Sequence, residues 1–166
     1  MNVYTFEARI QVRPAQATEG ERVELGSAVY RPLVIRPAML AGAVFPVTFE
    51  QAEAALAGLP RLFIEPDGSF VWVADDIRRS WQVDGNLYDR HGRLLYVEVK
   101  GNCPAAAFDQ LLRAVGWPDV LLAFQLVREA VYLDEAGFRR YAEIGPRTVS
   151  NCPNPQGCIQ GGERLA

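Results

Sequence analysis

On both sides of Asp89-Arg90-His91-Gly92 the chain alternates apolar and polar residues, the signature of an antiparallel hairpin with one buried and one wet face. The loop length decides which residues meet, because a one-residue slip sends every side chain to the opposite face. A three-residue loop, Arg90-His91-Gly92, with Gly92 supplying the left-handed conformation, pairs Asp89 with Arg93 and sets Asp84 opposite Glu98. Val83, Gly85 and Leu87 then share a face with Leu95, Val97 and Val99. Gln82, Asp84, Asn86, Tyr96, Glu98 and Lys100 line the other. A four-residue loop would put Asp84 opposite Val97 and mix the two sets, so the pattern favours the register that gathers Asp84, Glu98 and Lys100.

Turn signals and helical periodicity divide the rest of the chain. Residues 3 to 47 are strand-rich, with Val3 to Phe6, Ile10 to Val12 and Val29 to Ile35 broken by Pro14, Pro32 and Pro37, which points to edge strands. Thr48 and Gln51 make a capping box, with Val47 placed to staple against Ala52, and Ala52, Ala55, Leu56 and Leu59 form a buried stripe. Leu62 to Val73 folds back at Pro66-Asp67-Gly68 as a first hairpin, ahead of the one at 81 to 100. After Pro104, Phe108, Leu111, Leu112 and Val115 mark a helix that Gly116 and Pro118 stop. Val120 to Val127 fits a strand or a helix, and strand is the better fit. Asp134 caps a last helix carrying Phe138 and Tyr141. The expected architecture is mixed α/β (α+β): a β-rich N-terminal segment and a central mixed sheet with two successive hairpins and helices packed on it. Residues 1 to 146 read as one domain and 147 to 166 as a flexible tail.

Composition narrows the function classes. With 49% hydrophobic and 22% charged residues in a chain of 166, a core is expected and disorder is not. A net charge of −3 gives no overall field to attract a polyanion. The three cysteines do not make a disulfide framework, MNVYTFEARI lacks the basic start and apolar stretch of a signal peptide, and no apolar run reaches the ~20 residues of a membrane span. A cytoplasmic protein without a membrane partner is expected.

Two carboxylates with an ammonium beside them suit metal-dependent phosphodiester hydrolysis: oxygens hold the cation, and the cation generates hydroxide and neutralises the phosphate. In this respect residues 48 to 126 resemble the PD-(D/E)XK nuclease superfamily. Asp84 stands in the first acidic position, Glu98-Val99-Lys100 supplies the Glu-x-Lys of the next strand, and helix 104 to 115 and strand 120 to 126 follow. The resemblance implies a magnesium or manganese ion on Asp84 and Glu98, Glu53 as a further acid from the preceding helix, Lys100 orienting the water, and nucleic acid as partner. Val83 departs from the proline often found before the aspartate, and no basic strip extends beyond Arg78-Arg79 and Arg90 with Arg93. Residues 6 to 32, FEARIQV with a Glu/Gly loop and Tyr30-Arg31-Pro32, also look like the opening of the C-terminal barrel domain of translation elongation factor Tu, without an obvious continuation of that barrel.

Each signal has a plainer reading. Alternating charges on the wet face of a hairpin need no function, and a non-catalytic protein interaction module is the competing class. Cys103, just before a helix start, could be an activated thiol or a small packed residue. Cys152 and Cys158, in C-x5-C spacing, could join Cys103 and His91 on zinc, a poor match to the usual two to four residues between ligands. Trp72, Trp81 and Trp117 could form an interaction surface and read more economically as core.

Overall fold

The computed structural model describes residues 3–75 and 80–145, so the tail with Cys152 and Cys158, and Arg78-Arg79, lie outside the described residues. The first half runs β1 (Val3–Val12), β2 (Thr18–Glu19), β3 (Val23–Leu25), β4 (Ala28–Tyr30), β5 (Leu33–Val34), α1 (Pro37–Leu40) and α2 (Phe49–Ala57). The second runs β6 (Leu62–Ile64), β7 (Ser69–Val73), β8 (Gln82–Arg90), β9 (Arg93–Pro104), α3 (Ala105–Ala114), β10 (Leu122–Leu126), β11 (Val131–Leu133) and α4 (Glu135–Ile144).

Nine strands form one sheet in the order β2-β5-β11-β10-β1-β9-β8-β7-β6, with β3 and β4 paired separately. The α+β class holds, and the pairings within this sheet are antiparallel rather than mixed. The reason is β1. It lies between β9 and β10, so those two strands run the same way without pairing. The prolines suggest an edge position for the N-terminal strands, but Pro14 falls just after β1 ends and leaves its ladder intact. Residues 3 to 12 are one continuous strand at the centre of the sheet, with Tyr4, Phe6, Ala8 and Ile10 buried on one face.

The helices α2, α3 and α4 cover that same face. The capping box of α2 forms as expected: Gln51 N–H donates to Thr48 Oγ1 at 3.2 Å, and Thr48 N–H donates to Gln51 Oε1 at 2.9 Å. Ala52 and Leu56 reach the core, whereas Ala55 stays exposed. On α3, Phe108, Leu111 and Leu112 are buried, and Val115 follows them into the core from the C-cap. Asp134 caps α4 by accepting the Gly137 N–H at 2.8 Å. Phe108 of α3, Phe138 of α4 and Phe6 and Phe124 of the sheet cluster with ring centroids 4.3 to 6.3 Å apart, Phe138 stacking on both Phe108 and Phe124. Each such ring contributes about 1.5–3 kcal/mol by burial. Trp72 is buried, and Trp81 and Trp117 are partly buried against the core.

The 82–104 hairpin differs from the expected register in an informative way. Its loop is two residues, His91 and Gly92, both with positive φ (54° and 76°), which is the requirement of the tight turn that matches strand twist. Asp89 Oδ2 accepts the Gly92 N–H at 2.8 Å and holds the turn. Arg90 pairs with Arg93 and Asp89 with Leu94, and a bulge then shifts the ladder so that Tyr88 pairs with Tyr96 and Asp84 with Lys100. The bulge restores the alternation that the shorter loop would have inverted. Leu94, completely buried, takes the core place expected for Leu95, and Leu95 turns toward the other face. Beyond the bulge the faces are as expected, but each partner is two residues further along.

From β5 the chain passes along the end of the sheet's uncovered face as a strap, residues 36 to 45. It is tied down where Phe45 N–H meets Leu94 O at 3.5 Å, then turns round the sheet to the capped start of α2.

Candidate functional site

Asp84, Glu98 and Lys100 lie on the uncovered face, but the two carboxylates do not face each other. Asp84 faces Lys100 and Asn86 faces Glu98, so the two carboxylates are diagonal neighbours rather than the expected opposed pair. Across the next seam β1 sets Glu7 opposite Lys100 and Arg9 opposite Glu98. Arg9 donates from Nε and Nη2 to Glu98 Oε1 at 3.2 and 2.6 Å, and the Tyr88 hydroxyl donates to Oε2 at 3.1 Å. Burial, reinforced by Glu98, pushes the Tyr88 phenol up. Glu7 meets Lys100 Nζ at 3.7 Å and Arg128 Nε at 3.0 Å, while Asp84 accepts from Gln82 Nε2 at 2.8 Å.

Glu7, Asp84, Glu98 and Lys100 do line one shallow hollow of about 290 Å³. Glu53 is not among them. It stands on α2, whose Ala52 and Leu56 pack in the core layer on the other side of the sheet. Among the described residues no three His, Cys, Asp or Glu side chains gather where a cation could be held. Both Glu98 oxygens already accept hydrogen bonds, one of them charge-assisted and worth about 1.5–3 kcal/mol. A magnesium or manganese ion at Glu98 would compete with the Arg9 and Tyr88 donors for the same oxygens.

Cys103 lies near the end of β9 and His91 in the turn before its start, roughly 40 Å apart at 3.3 Å per residue, too far to share a zinc ion. Cys103 is fully buried, and burial pushes its thiol up to about 12, so it stays protonated as a packing residue.

A second, larger cleft of about 600 Å³ lies where the strap crosses the sheet. Its floor is Arg9 and Gln11 of β1, Tyr96 of β9 and Tyr132 of β11. Pro37, Leu40, Ala43 and Val44 of the strap form the wall, with Leu95 of the bulge beside it. Arg90, His91 and Arg93 of the hairpin turn form the rim. Tyr96 is held by two ring contacts: Tyr88 stacks on it at 4.5 Å, and the Arg9 guanidinium lies 4.2 Å from its centroid. Gln11 is only 5% exposed, and its amide nitrogen has no hydrogen-bond partner.

The β-branched and aromatic runs 3 to 6 and 10 to 12 belong to one strand, and the residues between them carry part of this floor. The signal was present, because Glu7, Arg9 and Gln11 alternate with Phe6, Ala8 and Ile10 as one two-faced strand. Compared with family models, curated proteins and solved structures, the chain matches none.

Proposed function

We propose that this chain is a non-catalytic binding module that receives a small ligand in the cleft under the strap. One observation carries the reading: a buried, unpartnered Gln11 amide on the floor of an apolar and aromatic cleft. An unmade hydrogen bond costs about 1–3 kcal/mol, and a bound acceptor atom would recover it. The volume, about 600 Å³, lies within the range of ordinary ligand pockets. The nucleic-acid reading has weaker support, since Glu98 is engaged by Arg9, Asp84 lies diagonal to it rather than opposite, and Glu53 stands on the other side of the sheet.

The neutral fluorescent probe N-phenyl-1-naphthylamine tests the cleft. Titration should show saturable binding at one site, weakened about ten-fold in Leu40→Trp, whose indole occupies the apolar wall, a loss of ~1.4 kcal/mol. Absence of saturable binding, or equal binding by the filled variant, would overturn the proposal.

A further inference from the structure

We infer that the ligand of this cleft is an organic anion with an apolar body, its acidic group held by Arg90 and Arg93. The inference rests on the cleft reading and adds the chemistry of the occupant. Arg90 and Arg93 are direct cross-strand partners at the end of the hairpin, and both line the cleft. Like charges in that position repel, and an anion between them turns the repulsion into attraction. Among the described residues neither arginine has an ion-pair partner, unlike Arg9, whose charge Glu98 compensates.

The acids near the turn do not supply that partner. Asp89 is engaged with the Gly92 N–H, Glu50 lies about 4.0 Å from the space a Gly92 side chain would take, and neither lines the cleft. No carboxylate stands among the lining residues to repel an anion, and His91 adds a further nitrogen donor at the rim. Leu40, Val44 and Leu95 offer an apolar bed beside the arginines, and the Gln11 amide offers one donor on the floor. The occupant these groups would recognise has a carboxylate, sulfonate or phosphate head, a hydrocarbon or aromatic body and a buried acceptor atom.

Two probes on one skeleton separate charge from shape. 8-Anilinonaphthalene-1-sulfonate carries a sulfonate where N-phenyl-1-naphthylamine carries none. The parent should bind the sulfonate about five-fold more tightly at low salt, a difference of ~1 kcal/mol. Added sodium chloride should narrow the gap by screening. Arg90→Gln/Arg93→Gln should abolish the preference while still binding the neutral probe, which also reports that the variant has folded. Equal affinities in the parent overturn the anion and leave the cleft standing. Binding of neither probe removes the cleft reading itself. A preference that survives in the double variant overturns the assignment to these two arginines.

Discussion

Gln11 is the residue at which stability and binding pull apart. Its neighbours Ile10 and Val12 suit a β-strand, but alternation sends Gln11 to the uncovered face, where the cleft buries it with an unpaired amide. Gln11→Met keeps much of the shape and removes the unmet donor. The variant should melt about 2–4 °C higher for each kcal/mol gained, because a desolvated group without a partner no longer burdens the folded state. It should also bind anilinonaphthalene sulfonate more weakly. A lower melting temperature with unchanged dye binding would make Gln11 a packing residue only. His91 belongs to the same scale: it holds a left-handed conformation costing about 1–2 kcal/mol, which no alternation pattern reveals. With Gly92 it shortens the loop to two residues, and that turn together with the bulge moves Asp84 from Glu98 to Lys100.

Among the elements, the β8–β9 hairpin was legible in its faces and not in its pairing. Its apolar set, Val83, Leu87, Val97 and Val99, is buried as the alternation requires. Gly85 sits in that set because the Phe70 ring lies across it: a Cβ added there would meet Phe70 Cζ at 2.1 Å. Gly85→Ala should therefore destabilise the protein by about 1–3 kcal/mol, read as a shift of the urea midpoint, since a crowded core must move the ring. Placing the same change in a Phe70→Leu background should recover part of the loss. An unshifted midpoint for Gly85→Ala would mean that Phe70 moves aside at no cost. The capped starts of α2 and α4 were readable from Thr48, Gln51 and Asp134, because a cap depends on residues within one turn. The central place of β1 was not, because nothing local specifies which strands lie beside it.

For the whole molecule, helices on one face of the sheet leave the other to solvent, the strap and paired charges. No helix among the described residues is long and apolar enough to cross a membrane. The charge pairing bears on metal binding. Millimolar magnesium or manganese should leave the melting temperature where an equal ionic strength of sodium chloride leaves it, because only a ligand that prefers the folded state raises it. Metal-specific stabilisation lost in Asp84→Asn would restore a cation to the Asp84 hollow. By itself the sequence determined the α+β class, the caps, most of the apolar faces and the polar character of the Asp84, Glu98 and Lys100 face. These follow from interactions between near neighbours and from the period of each element. Only the tertiary structure decided that β1 lies against β9, so that Arg9 meets Glu98 and Glu7 meets Lys100, and that the strap closes a cleft over Gln11. Both depend on contacts between residues far apart in sequence, and those are chosen by the packing of the whole chain.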